Sequence, residues 1–237
     1  MDYDYDDCEL TPQQRKKKKQ EEILLVKAKL KTAQGSITPI EVKPRAKIAK
    51  SFWAKKWYEN LSTYEDLDYR LQMGRSLLSQ NAVVDFQASS LSIEAKVYDQ
   101  TIHNVKITFK EICQNKKEKL AQAFQKELCS LAELLLGKVS SEICELIVNN
   151  NEVRLFPTQE EISFDCDCPD YASLCSHVSA CLCAVVVLFD KDPQIFFDLR
   201  GIDPKTLVKE QALKVKEPTP SLAKEDLSKI FGIDLAD

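Results

Sequence analysis

The stretch FDCDCPDYASLCSHVSACLCAVVVLFD, residues 164–190, is the most informative part of this sequence. Its first half concentrates side chains that can bind a metal ion, and four of them lie within twelve residues: Cys166, Cys168, Cys175 and His177. Its second half is apolar over about three helical turns, and Pro193 prevents the helix from continuing. The stretch therefore predicts a cluster of metal-binding side chains that leads directly into a buried helix.

The spacing of the four side chains favours a structural zinc site. Zinc in such sites binds four thiolate or imidazole groups in a tetrahedron, so the chain must bring two pairs of ligands together. Cys166 and Cys168 are separated by one residue, and alternate side chains on a strand point to the same face. Cys175 and His177 form the second pair, in the loop and in the first turn of the apolar helix. His103, the other histidine, has no such neighbours in sequence, and we expect it to have a structural or surface role.

Neither a disulfide nor simple burial accounts for the cysteines as well as a metal does. A disulfide between Cys166 and Cys168 would close a strained ring, and nine cysteines are an odd number in a chain too long for a small disulfide scaffold. Simple burial does not explain four donors in twelve residues. Burial does explain Cys181 and Cys183, because free cysteine behaves as a small apolar side chain. Cys181 lies one turn after His177, so helical spacing would allow its side chain to replace one of the four metal ligands.

Apolar periodicity predicts an α+β fold. A helix begins after Ser51, and its two tryptophans, Trp53 and Trp57, share one face, which we interpret as core packing rather than a base-stacking surface. Residues 82–109 alternate apolar and polar side chains in three segments, which is typical of a three-stranded antiparallel meander. Two helices follow, and the first ends at Gly137.

The cysteine-rich stretch predicts a module of its own after this larger part. Residues 153–168 have the pattern of a β-hairpin, and the apolar helix would complete a small ββα-like zinc module. The composition then divides the chain into four parts: an acidic tip and basic mobile tail at 1–50, an α+β domain at 51–150, the zinc module at 151–203, and a linker with a short amphipathic helix at 204–237. The tail could contain a short helix of its own.

Charge is distributed unevenly, although the net charge is only −4. Residues 15–56 contain fourteen Lys and Arg against three Glu, a net +11, whereas residues 152–200 contain nine acids against three basic residues, a net −6. A polyanion should therefore meet the amino-terminal third first, and we place nucleic-acid binding there. A solvated, disordered run of charge explains the same residues equally well. The acidic zinc segment is better suited to a protein partner.

The sequence predicts no membrane association. No apolar run approaches the roughly 20 residues that span a bilayer. The amino terminus MDYDYDDCEL is acidic where a secretory signal is basic and then apolar. We therefore expect a cytoplasmic protein, in which the cysteines stay reduced.

The segment CDCPDYASLCSH, residues 166–177, resembles the SWIM-type zinc finger, whose pattern is C-x-C, a spacer and C-x-H. The flanking segments are also similar to bacterial members of this family, so the resemblance covers about residues 51–203. It implies four zinc ligands: Cys166, Cys168, Cys175 and His177. The sequence departs from the family at Ser176, where a basic residue is usual, at Tyr171, where tryptophan is commoner, and at Leu174, where proline is frequent. None of these is a ligand, but the acidic surroundings argue against a DNA-reading role for the finger.

The resemblance implies a zinc-binding adaptor that mediates protein or nucleic-acid interactions. Bacterial members often accompany Swi/Snf-type helicases, which suggests such a helicase as the protein partner. The chain has no G-x-x-x-x-G-K-[ST] motif, so it is not itself the motor. We expect no enzymatic activity, because four protein ligands leave no open position for water on zinc. The alternative is a thiol-based redox or zinc-responsive regulator, in which oxidation of the thiolates releases the metal.

Overall fold

Helices pack against a four-stranded antiparallel sheet in the computed structural model of this chain. The structure describes residues 10–43, 46–64, 67–127, 131–150, 152–170, 172 and 174–208. Its regular elements are α1 (Pro12–Gln34), α2 (Phe52–Leu61), α3 (Leu67–Ser79), β1 (Val83–Ser89), β2 (Ser92–Asp99), β3 (Thr101–Phe109), α4 (Gln114–Glu127), α5 (Leu131–Leu135), α6 (Ser141–Asn149), β4 (Ile162–Cys166), α7 (Ser176–Lys191) and α8 (Gln194–Leu199). Short 3-10 turns cover Gln159–Glu161 and Pro204–Leu207.

The strands lie in the sheet in the order of the sequence, and each neighbouring pair is antiparallel. The predicted α+β fold and three-stranded meander are thereby confirmed. Strand β4 extends the meander along β3, so that Phe109 pairs with Ile162 and Val105 pairs with Cys166. The end of β4 therefore carries the first cysteine of the predicted cluster.

The predicted hairpin of residues 153–168 is wrong in its first strand. Residues 152–158 have no strand, although several of their side chains are buried. The amide of Leu155 donates to the Ile147 carbonyl at 2.9 Å, and the Leu155 carbonyl accepts from the Arg200 side chain at 3.0 Å. Because these backbone groups already have partners, this segment does not need a neighbouring strand. The predicted ββα-like unit therefore shares its remaining strand with the larger sheet.

Arg200 is completely buried and joins three segments that are distant in sequence. Besides the contact of its Nε atom with Leu155, Nη1 donates to the Lys110 carbonyl at 3.2 Å and Nη2 donates to the Glu161 carboxylate at 3.1 Å. A buried guanidinium is tolerated only when its charge and donors are matched in this way. The side chain thus fixes the loop before β4 against the end of β3.

Helix α7 is the central element of the core, and it packs against all four strands and against α2, α3 and α8. Gly74 of α3 lies directly on it, since a Cβ atom at residue 74 would be 2.5 Å from the carbonyl carbon of Ser179. Trp53 and Trp57 are buried in the same core, and Trp57 Nε1 donates to the Leu182 carbonyl at 3.4 Å. The interpretation of the two tryptophans as core residues is confirmed.

The segment predicted as a mobile tail contains α1, the longest helix of the described residues. Thr11 caps its amino terminus, and Pro12 occupies its first turn. The helix is fixed to the rest of the fold by the buried side chain of Ile23 and by Lys19, whose Nζ atom lies 2.6 Å from the Asp99 carboxylate. Part of the segment predicted as a tail, where the sequence allowed a short helix, is therefore a helix of 23 residues that contacts the fold. Ile23 is its buried residue, and Val26 and Leu30 pack against the core at helical spacing.

Two predicted features lie outside the described residues. The acidic tip falls within residues 1–9, and the amphipathic helix near the carboxyl terminus falls within residues 209–237. In the ranges that are described, no helix combines the length and apolarity needed to cross a bilayer.

The close contact between α3 and α7 predicts that Gly74→Ala destabilises the protein. Alanine is normally the better helix former, but here its Cβ would overlap the α7 backbone at Ser179 and Ala180. We expect a loss of about 1–3 kcal/mol in the free energy of unfolding, as for other overpacked cores, measured by urea denaturation. Gln72→Ala, at an exposed position of the same helix, should change stability by less than about 0.5 kcal/mol. A Gly74→Ala variant as stable as the wild type would contradict the packing described.

Candidate metal centre

The structure brings the four predicted side chains together at one end of the sheet. Cys166 is the last residue of β4, and Cys168 follows it in the turn. Cys175 is the N-cap of α7, and His177 lies in the first turn of that helix. One donor atom from each of these residues lies within 4.8 Å of the others. The end of β4 and the start of α7 therefore form a cluster of three sulfur atoms and one nitrogen atom that can hold a metal ion.

The distances in the cluster are close to those of a tetrahedral site. His177 Nδ1 lies 3.8 Å from the Sγ atom of Cys166 and 3.9 Å from the Sγ atom of Cys175. Around a tetrahedral zinc ion, bond lengths near 2.3 Å to sulfur and 2.0–2.1 Å to nitrogen place such atoms about 3.6 Å apart. Nδ1 is therefore the imidazole nitrogen that faces the sulfurs, and only small movements separate this arrangement from ligation.

The start of α7 provides a favourable environment for a thiolate. The Sγ atom of Cys175 accepts a hydrogen bond from the Val178 amide at 3.4 Å, in the position of an N-cap. A helix amino terminus carries partial positive charge and stabilises an anionic sulfur. The sequence uses cysteine here where serine, threonine or aspartate is the usual cap, which fits a residue that serves both the helix and the cluster.

Burial acts against ionisation of the cluster. It raises the pKa of the Cys166 thiol and that of the Cys175 thiol. Burial also lowers the pKa of His177, and the neighbouring His103 lowers it further. The neutral imidazole is ready to donate a lone pair, whereas the thiols need a cation beside them before they lose their protons. Metal binding at this cluster should therefore release protons.

The acidic residues around the cluster hold the loop in place. Asp167 accepts from the Asn104 amide at 3.0 Å and from the Asn104 side chain at 2.7 Å, and these contacts lower the pKa of its carboxyl group. Asp170 accepts from the Ala172 amide at 3.0 Å and forms an ion pair with Arg70 of α3. These contacts lower the pKa of Asp170 as well. The two aspartates thus attach the first half of the ligand loop to β3 and to α3.

Cys181 and Cys183 are buried in the core of α7. Burial raises the pKa of the Cys183 thiol to about 12 and raises that of Cys181 well above its ordinary value. Among the described residues, the group that can hold a metal ion does not include Cys181 and consists of Cys166, Cys168, Cys175 and His177. This arrangement supports their interpretation as core residues.

Two neighbours of the cluster were not recognisable in the sequence. The His103 ring stacks on the His177 ring at 4.1 Å between centroids, and its Nδ1 atom lies 3.4 Å from Asp167. Asp99 Oδ2 lies 3.9 Å from His177 Nε2. Both residues come from the end of the hairpin that β2 and β3 form, and only the pairing of β3 with β4 brings that end to the cluster. No local sequence signal could have revealed this contact.

Comparison with known proteins gives a distant relative. No profile of a known protein family matches the chain, and no solved structure matches it. A Mycobacterium tuberculosis protein named "Uncharacterized protein Rv2102" is 27% identical over 169 residues, which cover 69% of this chain. The match covers 60% of the relative, so this chain spans about 60% of the length of the curated protein that it matches. The name of the relative indicates no metal, activity or partner, and the four converging donors remain the feature of this chain that points to a function.

Proposed function

We propose that the chain is a SWIM-type zinc-binding protein that acts as a non-enzymatic adaptor. The observation that carries the proposal is the convergence of four donors from a C-x-C pair and a C-x-H pair within 4.8 Å of one another. The resemblance of residues 166–177 to the SWIM finger predicts the same four ligands. The proposed cofactor is one Zn²⁺ ion.

The donor set favours zinc over other divalent cations. Magnesium and calcium prefer oxygen ligands, whereas three thiolates and one imidazole suit a tetrahedral zinc ion. Cys166 and Cys168 are half-buried, whereas Cys175 and His177 are buried. A bound ion would therefore lie near the surface but within the fold. When bound, zinc supplies Lewis acidity that keeps the three thiols ionised despite their burial.

The position of the cluster supports a structural role for the metal. The donors belong to the end of the last strand and to the start of the central helix, so an ion bound there would link the sheet to α7. Four protein ligands complete a tetrahedral site and leave no position for a reacting water molecule. We infer that the module presents a surface to partners and does not carry out a reaction.

Helix α1 is the proposed contact for a polyanion. Lys19 and Lys27 are engaged by Asp99 and Glu41. The exposed lysines of the helix add further positive charge, although Lys17 also lies 3.9 Å from Glu21. The four lysines concerned are Lys16, Lys17, Lys29 and Lys31. Binding of such side chains to nucleic acid releases counterions and depends steeply on salt. The SWIM resemblance supports a Swi/Snf-type helicase as the protein partner, and nucleic acid at α1 would be compatible with that role.

Metal analysis tests the zinc site directly. We expect the purified 237-residue chain to contain about one zinc ion and Cys168→Ser to lose most of it, because three ligands hold zinc far less tightly than four. The measurement is inductively coupled plasma mass spectrometry after gel filtration.

Two control variants separate ligands from other cysteines. Cys113→Ser, at an exposed thiol outside the cluster, should keep full zinc content. Cys181→Ala should also keep it if this residue belongs only to the core. A wild-type protein without bound zinc after reconstitution would refute the proposed function, and loss of zinc in Cys113→Ser would show that the ligands are wrongly assigned.

Removal of zinc should lower the melting temperature by about 10 °C. A metal present at 1,000 times its Kd stabilises the folded state by about 4 kcal/mol, and each kcal/mol shifts the melting temperature by about 2–4 °C in a domain of this size. The measurement is calorimetry with and without a chelator. Cys168→Ser gives the matched control, because chelator should change its melting temperature little. Identical melting of the metal-bound and chelated wild type would contradict a structural role.

The dependence of nucleic-acid binding on salt tests the role of α1. Each phosphate contact contributes about 0.9 to the slope of log K against log salt on duplex DNA, so Lys16→Gln with Lys17→Gln should reduce the slope by about 2. The measurement is fluorescence anisotropy with a labelled duplex at several salt concentrations. Lys138→Gln with Lys205→Gln removes two exposed lysines elsewhere and should leave the slope unchanged. An unchanged slope in the α1 variant would exclude Lys16 and Lys17 as phosphate contacts.

A further inference from the structure

The proposed zinc ligand His177 has a polar atom without a partner on the side away from the sulfurs. The residue is 7% exposed, and its Nδ1 atom faces the thiols of Cys166 and Cys175. Its Nε2 atom is buried and has no hydrogen-bond partner in the described part of the chain. A buried imidazole N–H normally has an acceptor, because leaving it unpaired costs the full penalty of desolvation. This atom therefore indicates a contact that the site requires.

Asp99 provides the nearest carboxylate for that contact. It is the last residue of β2, and its Oδ2 atom lies 3.9 Å from His177 Nε2. This distance exceeds a hydrogen bond, so the half-buried Asp99 carboxylate has to move closer to the ring to accept one. A metal on Nδ1 requires the neutral imidazole to carry its proton on Nε2. Ligation would therefore turn Nε2 into an N–H donor that faces the carboxylate.

The other acids near the ring already have partners. Asp167 is bound by Asn104 and lies against His103, and Asp170 is paired with Arg70. The His103 ring covers one face of the imidazole and offers it no acceptor in the ring plane. Within the described ranges, Asp99 is therefore the acid best placed to accept from Nε2.

The second oxygen of Asp99 connects this contact to helix α1. Lys19 Nζ lies 2.6 Å from Asp99 Oδ1, and the neighbouring Tyr98 hydroxyl donates to the Glu22 carboxylate at 3.2 Å. Two consecutive residues of β2 thus hold the same turns of α1. The contact with Lys19 holds the Asp99 carboxylate from its other oxygen, so α1 influences the acceptor that His177 would use.

We infer that Asp99 positions the His177 imidazole for metal binding and that Lys19 couples this contact to the docking of α1. Carboxylates that accept the second N–H of a ligating histidine orient the ring and strengthen its bond to the metal. Coupling between two sites is reciprocal, so a metal at the cluster also strengthens the attachment of α1. The inference rests on the proposed function, because it requires zinc at the four donors.

The zinc affinity of variants of the 237-residue chain tests the positioning role. We expect Asp99→Asn to bind one zinc ion about 10-fold more weakly than wild type, in the range observed when an outer partner of a metal ligand is lost. Asp99→Glu keeps the carboxylate and should recover most of the affinity. Cobalt substitution should give thiolate-to-cobalt absorption of wild-type intensity in Asp99→Asn, because all four ligands remain. The measurement is competition with a chromophoric chelator, together with the absorption spectrum of the cobalt form.

Matched variants at a second ion pair of the same strand provide the control. Glu94 of β2 pairs with Lys106 of β3 at 3.2 Å, and neither residue belongs to the group that can hold the metal, so Glu94→Gln and Lys106→Met should leave zinc affinity unchanged. Lys19→Met should weaken it in the same direction as Asp99→Asn. Wild-type affinity in Asp99→Asn would overturn the positioning role while the zinc site itself stands. A wild-type protein that binds no zinc would overturn the inference and the proposed function together.

Hydrogen exchange of the α1 amides tests the reciprocal effect. Chelation of zinc should accelerate exchange around Lys19 and Ile23 in the wild type, because Asp99 then loses its contact with the ring. The same treatment should produce a much smaller change in Asp99→Asn, in which the coupling is already broken. Equal acceleration in the two proteins, or none in the wild type, would overturn the coupling to α1.

Discussion

The antiparallel pairing of β3 with β4 determines the position of almost everything else at the cluster. The two strands pair over five residue pairs, which end with Val105 opposite Cys166. A shift of one residue would turn Cys166 to the opposite face of the sheet, because side chains alternate along a strand. The same pairing brings the hairpin end that contains Asp99 and His103 next to His177. The metal-binding geometry is therefore a property of the whole sheet and not of a short peptide motif.

Helix α7 combines two roles that proteins often separate. Its first turn carries His177 beside the N-cap Cys175, and the following residues form the centre of the core. The tight contact of Gly74 with Ser179 fixes the position of α7 along α3. Since the position of the donors follows from this packing, the apolar interior prepares the site before any ion is bound. Zinc would then complete an arrangement whose geometry is largely set by van der Waals contacts.

Local patterns in the sequence predict the features of this fold that depend on neighbouring residues. The strand alternation of residues 82–109, the capped helix after Ser51 and the apolar run of α7 are all visible in this way. The four donors could be selected because they are close in sequence as well as in space. The partner of β4 could not be predicted, since residues 153–157 look as apolar as a strand but the backbone of Leu155 is bound by Ile147 and Arg200 instead.

Helix α1 illustrates a second kind of failure. Its lysine run has the composition of a solvated tail, and its contacts with the fold combine ion pairs with a short apolar stripe of Ile23, Val26 and Leu30. The ion pair of Lys19 with Asp99 joins residues 80 positions apart and leaves no periodic signal in the sequence. For the same reason, the role of Asp99 beside His177 is apparent only once three strands and a helix have been assembled.

The buried guanidinium of Arg200 has a consequence for the order in which the chain folds. Its acceptors on Lys110, Leu155 and Glu161 precede it by 90, 45 and 39 residues. During synthesis the meander can pair early, because its strands are adjacent in sequence. The contacts of Arg200 with Leu155 and Glu161 cannot form until residue 200 has left the ribosome. The loop before β4 is therefore fixed against the end of β3 late, at a stage when the meander already exists.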